Sequence, residues 1–209
     1  MSSREAILGN IRQNLQARLQ QREAAPRPAG PVPLPSLGED LQAALLARMD
    51  AVQMSYERLA GEQDVVGAVQ AFIAARGDDA TACQIDISPQ LQALDWSALS
   101  GAAFGPARAG SRYGVTRCLA AVAETGSIVM ASGPEHAVTQ TFLPDCHIVV
   151  LRADQVVDRP ESVWPLVRSL PALPRAVNFN TGPSRTGDIE QTIEIGAHGP
   201  RVMHVLIVE

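Results

Sequence analysis

The chain has 209 residues, 46% of them hydrophobic but only 4% aromatic, so a domain-sized core has to be aliphatic, built from Val, Ile, Leu and Ala. Its net charge of -5 argues against a nucleic-acid partner, because phosphate contacts require clustered cations. No apolar run approaches the roughly 20 residues that span a bilayer. The polar stretch "NIRQNLQARLQQRE" stands where a secretory leader would be apolar, which gives the expectation of a cytoplasmic protein.

In chain order, residues 3–22 predict an amphipathic helix. Ile7, Ile11, Leu15 and Leu19 recur every fourth position with Leu8 beside them, and Arg and Gln occupy the other faces. The stretch "PRPAGPVPLP" follows, with Pro26, Pro28, Pro31, Pro33 and Pro35, whose fixed φ angles and missing donors make a semi-extended linker. Residues 1–36 therefore read as an N-terminal helical arm with its linker, and 37–209 as the main domain. The arm is either a frayed tail or a docking element for another subunit or a second copy, since its apolar stripe needs burial.

In the main domain, Leu41, Leu45, Met49, Val52, Tyr56 and Leu59 fall at helical spacing. A second helix is expected over residues 64–75, with Asp64 as N-cap and Gly77 as the stop. "TACQIDIS" reads as a short strand, residues 97–113 as loop, and "CLAAVA" and "SIVMAS" as apolar runs either side of "ETG". "HIVVL" is a continuous apolar strand, followed by a short helix over 162–169, the strand "RAVNFN" and the terminal strand "VMHVLIVE". Apolar strands separated by helices predict an α/β fold with a mostly parallel sheet and helices on both faces. Ligands in such folds sit outside the carboxyl ends of the strands, so the glycine-rich segments beside the strands are where a site is sought.

Three of those segments carry chemistry. In "NTGPSRTGDIE", Gly182 and Pro183 force a turn after a strand, and Thr181, Ser184, Thr186 and free backbone N–H groups precede a predicted short helix over "DIEQTIEIG". Such an arrangement is suited to an anion. Arg185 adds a fork that matches a carboxylate or a phosphate. Asp188 and Glu190 are explained equally well as helix caps, and Arg185 equally well as an internal partner of Glu190 or Glu124. "GAHGP" sets His198 between Gly196 and Gly199 with one alanine intervening, leaving the imidazole uncrowded for either a structural or a proton-transfer role. "AETGS" puts Glu124 beside Thr125 and Gly126 at a strand edge, where a carboxylate is either paired with an arginine or used chemically.

The remaining candidates are weaker. Cys83, Cys118 and Cys146 form no C-x-x-C pair, so iron–sulfur and structural zinc sites lack their spacing, and the thiols are expected reduced and mostly buried. His204 lies within the terminal strand and reads as a core histidine; His136 and His147 have no metal partner at a recognisable spacing. No phosphate-loop or dinucleotide fingerprint is present, and no cofactor is assigned to this chain.

Taken jointly and in order, "AETGSIVM", "LPDCHIVVL", "TGPSRTGDIE" and "GAHGPRVMHVLIV" resemble the LUD family over residues 40–209. Within that family they are most similar to the small subunits of three-protein bacterial L-lactate oxidation systems. One departure is Gly187, where the family more often has alanine. The resemblance implies a fold similar to the phosphosugar isomerase and coenzyme A transferase superfamily. It also implies partner subunits that carry iron–sulfur clusters. On this reading the chain contributes to the oxidation of L-lactate to pyruvate. Arg185 and the loop amides hold the carboxylate, His198 acts as general base, and Glu124 orients it or shares the proton. Two alternatives stand beside it: a free-standing enzyme on a phosphorylated or acyl-coenzyme A substrate, with Glu124 as nucleophile or base, and a non-catalytic assembly subunit that docks through its arm.

Overall fold

The longest apolar runs of the chain become neighbouring strands of one parallel sheet. The computed structural model describes residues 3–24, 36–186 and 194–209. The chain divides into two units, Met1–Ser36 and Leu37–Glu209. In the first, α1 (Ser3–Ala24) is the predicted helix, and its Ile7, Ile11, Leu15 and Leu19 are all exposed. The proline-rich linker lies outside the described residues.

The second unit opens with α2 (Leu41–Ala51), whose first turn is capped by the Asp40 carboxylate accepting from the Ala43 amide at 2.9 Å. Helical spacing suggested that this helix runs on to Leu59. It ends instead at Val52, Gln53 takes a left-handed turn at φ +60°, and β1 (Ser55–Leu59) follows. The reason is tertiary. β1 pairs in parallel with β12 (Val202–Val208), from Ser55 against His204 to Leu59 against Val208. As strand residues Tyr56 and Leu59 point to opposite faces and join two different cores, where a helix would have kept them on one.

Six strands make the sheet: β1, β2 (Ile85–Ile87), β3 (Ala102–Phe104), β4 (Tyr113–Arg117), β7 (Cys146–Arg152) and β12. Their order is β1-β12-β7-β4-β2-β3 and every pairing is parallel. The short β3 lies inside the segment read as loop. Along β7, Cys146, Ile148 and Val150 enter one core and Val149 and Leu151 the other, so both faces are buried and the sequence shows no polar alternation. α3 (Val65–Ala75) covers the first face through Val65, Val69 and Ile73 and stops at Gly77, φ +79°. Asp64 holds its N-cap position without a side-chain cap bond, because a single 3-10 turn at Glu62–Asp64 leads into the helix.

The other face carries α2 together with a second sheet. That sheet has the order β8-β5-β6-β9, formed by β5 (Ala120–Val122), β6 (Ser127–Ala131), β8 (Val156–Val157) and β9 (Val177–Asn180). The "ETG" turn joins β5 to β6 as an antiparallel hairpin. Ala121, Ile128 and Met130 face the large sheet, while Ala120, Val122 and Val129 pack with Val163 and Val167 of α5 (Val163–Ser169). The chain is thus α/β with a mostly parallel central sheet, one of whose faces is covered by a β layer as well as a helix. The short α4 (Thr139–Phe142) lies over Gly114, where a Cβ would come 3.0 Å from the Gln140 carbonyl oxygen. A two-stranded ribbon, β10 (Arg185–Thr186) with β11 (Glu194–Ile195), completes the unit. The helix expected over residues 188–196 falls mostly outside the described residues; its Glu194 and Ile195 are extended.

Candidate functional site

The Glu124–Ser127 turn and the segment after β9 meet through their hydroxyls. Thr125 Oγ1 lies 2.7 Å from Ser127 Oγ, which in turn lies 2.6 Å from Thr181 Oγ1. Both turns rest on the carboxyl end of α2. At Gly126 (φ +73°) a Cβ would sit 2.7 Å from Arg48 Cβ, and at Gly182 (φ +90°) 2.8 Å from the Val52 carbonyl oxygen. Only glycine fits these two turns.

The third segment joins on the other side. Ser184 N donates to Pro200 O and Gly196 N donates to Ser184 O, both at 2.9 Å, so residues 196–200 run beside residues 184–186. Gly199 packs on Ser184, whose Cβ would be 3.3 Å from an added methyl. Thr186 is half-buried in the ribbon, while His198 and Arg185 are exposed. The Arg185 Nη2 donates to Val52 O at 3.3 Å and to Gln53 Oε1 at 2.5 Å. Gln53 is the one non-glycine residue at positive φ among the described residues. Neither Glu124 nor any other described carboxylate pairs with Arg185. Asp188, Glu190 and Gly187 lie outside the described residues.

Glu124 is half-buried and faces Arg159, with 3.7 Å between Oε1 and Nε. Its backbone amide donates to Asp158 O. No hydrogen bond joins Glu124 to His198 among the described residues. The expected position of the site also changes. Val52 and Gln53 precede β1 and Pro200 precedes β12, which puts the junction at the amino-terminal edge of the parallel sheet, not the carboxyl edge. The 181–186 segment follows β9, a strand of the second sheet, so the carboxyl-end rule for the parallel sheet does not govern it.

The same edge is tied together by charge. Arg112 bridges Asp78 and Asp145 at 3.2 and 2.9 Å, and Arg201 N donates to Asp145 O at 2.7 Å. The Tyr113 hydroxyl, and after it Arg112, hold the Asp78 carboxyl below the usual carboxylate range. The other histidines are buried away from the junction. His204 bonds Ser55 Oγ through Nδ1 at 2.9 Å and stacks on Phe72, and His147 Nε2 meets Thr116 Oγ1 at 2.8 Å. Burial pushes His204 and His136 down to about 4 and His147 to about 3. Cys118 and Cys146 are buried and Cys83 half-buried, all free; burial pushes the first two thiols up to about 12. Sequence reasoning missed Ser127, Gln53 and Arg159. Ser127 alone had a local signal, as the hydroxyl directly after a glycine turn.

The parallel sheet, the β layer on one face and a junction of three glycine-rich loops define an α/β protein with a loop-built polar site. The LUD domain matches residues 48–208, and the chain belongs to that family. Lactate utilization protein C of Anoxybacillus flavithermus is 28% identical over 130 residues, 60% of this chain and 59% of that protein. The protein of the same name from Exiguobacterium sp. is 36% identical over 99 residues, 45% of this chain and 43% of that one. That of Deinococcus radiodurans is 33% identical over 99 residues, 45% of each. The chain thus spans about half the length of the curated relatives it matches. A crystal structure of a DUF162 family protein from Deinococcus radiodurans has the same fold, with TM-score 0.57 and 21% identity over 85% of this chain and 100% of that one.

Proposed function

We propose that this chain is a subunit of a bacterial L-lactate utilization system and contributes, with iron–sulfur partner proteins, to the oxidation of L-lactate to pyruvate. Membership of the LUD family and the likeness to proteins named lactate utilization protein C support the role in lactate utilization. The observation that carries the site is the junction of residues 124–127, 181–186 and 196–200 through hydroxyl and backbone bonds.

L-Lactate offers a carboxylate, a hydroxyl and a Cα–H bond. Arg185 takes the carboxylate with the donors that Val52 and Gln53 leave unused, helped by the loop hydroxyls. His198, exposed in the adjoining loop, accepts the hydroxyl proton as general base. A two-electron acceptor in a partner subunit, from which the iron–sulfur clusters would draw single electrons, would take the Cα hydrogen with its electron pair, which leaves pyruvate. Glu124 stays paired with Arg159 and is assigned no proton.

The test is reconstitution with the iron–sulfur partners, following pyruvate formation with and without this chain. Turnover should depend on the chain; undiminished lactate oxidation on its omission would remove the reading. In the assembled system Arg185→Ala should weaken lactate binding by about 1.5–3 kcal/mol, the range for a hydrogen bond to a charged group. Arg185→Lys should recover only part, because an ammonium lacks the planar fork. His198→Ala should lower kcat more than it raises KM. A melting temperature that falls with affinity unchanged would make the loop scaffolding.

A further inference from the structure

A cavity of about 610 Å3 opens at the carboxyl edge of the parallel sheet, the edge opposite the loop junction. Its position follows from topology. β2 and β4 are neighbours, yet the chain leaves them towards opposite faces. The segment after β2 buries Leu91, Trp96 and Leu99 in the core shared with α3. The segment after β4 enters β5, whose Ala121 belongs to the core on the other face. Diverging connections leave a crevice outside the carboxyl ends of the two strands, the place where open α/β sheets bind ligands. Gln90, just past β2, and Arg117, at the end of β4, both line this cavity.

The lining has two characters. Gln90, Arg117 and Gln155 come from the ends of β2, β4 and β7 and are polar, whereas the connections of the second sheet supply apolar Leu119, Pro134 and Leu170 together with polar Ser132 and the Glu135 carboxylate. The cation among them is already neutralised. Arg117 meets Glu62 with two bonds, at 2.9 and 2.7 Å, and that pairing holds the Glu62 carboxyl below its usual range. Gln155 spends its amide on the Cys118 and Leu119 carbonyls at 3.3 and 3.5 Å. His136 also touches the cavity, but the residue is only 3% exposed and its Nδ1 is itself buried, so that nitrogen does not face the open space. The volume is that of a small-molecule site, mostly apolar with a few polar groups to fix orientation.

We propose that this cavity is a second ligand site, for an uncharged and mainly apolar small molecule that hydrogen-bonds along one edge. Leu119, Pro134 and Leu170 pack on the ligand, and the Gln90 amide meets its polar edge. A strongly anionic ligand gains little, because Arg117 is committed to Glu62. None of the loop-junction residues lines the cavity, so the proposal does not rest on the lactate reading.

Lumiflavin, an uncharged ring with donors and acceptors on one edge, is the probe, titrated against the full chain by fluorescence quenching. Binding should saturate, should weaken at least tenfold in Ala172→Trp, which fills the mouth of the cavity from an exposed position, and should be unchanged in Arg185→Ala. In the unaltered protein, methyl NMR signals of Leu119 and Leu170 should shift on adding lumiflavin while those of Leu45 and Ile73 stay fixed. Absence of saturable binding, or methyl shifts confined to residues away from the cavity, would overturn the proposal. So would flavin mononucleotide binding more than tenfold tighter than lumiflavin, since it adds only a charged phosphate and its tether.

Discussion

At Gly126 and Gly182 two costs of a side chain coincide. The backbone is left-handed, and the added methyl would lie 2.7 Å from Arg48 Cβ in one case and 2.8 Å from the Val52 carbonyl oxygen in the other. Replacing either by alanine should lower unfolding free energy by about 1–3 kcal/mol in urea titrations, the usual range for a strained backbone position. A change below about 0.5 kcal/mol would show that the end of α2 yields without loss. Gly199 is different: its φ is not positive, and the nearest atom is the Ser184 Cβ at 3.3 Å, so Gly199→Ala should cost less than either. The glycines of the candidate segments therefore split between Gly126 and Gly182, which pack on α2, and Gly196 and Gly199, which flank the exposed His198 and meet Arg201 and Ser184.

Among the elements, α1 and β1 show opposite outcomes of the same apolar periodicity. In α1 the fourfold recurrence of Ile7, Ile11, Leu15 and Leu19 gives a helix whose stripe is between 49 and 59% exposed, an apolar face of the kind that marks an interaction surface. In residues 41–59 the recurrence outlasts the helix, and pairing with β12 takes over after Gln53. We expect deletion of residues 1–36 to leave the melting temperature of the remaining unit within about 2 °C by calorimetry, because an exposed stripe contributes little burial. The same deletion should weaken assembly with partners or with a second copy, measured by sedimentation. A drop of many degrees would mean that the arm is part of the main core.

Over the whole molecule, three buried histidines set the response to acid. His136 and His204 are held neutral down to about 4 and His147 to about 3, in each case chiefly by burial. In the unfolded chain they protonate near their ordinary value of about 6.5. The unfolded state therefore binds more protons between these limits, so stability is complete above about pH 6.5 and is lost as pH falls towards 4. From pH 7 to pH 5 the loss is on the order of 2 kcal/mol per histidine, an upper figure that assumes no rearrangement. Carboxyls held low, such as Asp78 by Tyr113 and Glu62 by Arg117, add their share as they protonate at still lower pH. Urea unfolding at pH 7, 6 and 5 should show this slope; a flat profile would mean that the three rings take up protons in the fold as readily as in the unfolded chain.

Local chemistry was enough to read much of this protein from its residues. "HIVVL" and "VMHVLIVE" could only be strands buried on both faces, since neither shows polar alternation, and Gly77 ended α3 where a left-handed residue was needed. The family resemblance was legible for the same reason, because turn glycines, hydroxyls and one arginine stand at fixed offsets in "TGPSRTGDIE" and "GAHGP". Tertiary structure alone decided which end of the sheet those loops occupy, since that depends on β9 joining a second sheet and not on any local pattern. It also decided that Glu124 faces Arg159, and that Gln90, Arg117 and Gln155 meet around one cavity. These contacts join residues tens of positions apart, and their energies come from register and crossover direction, which no short window of sequence contains.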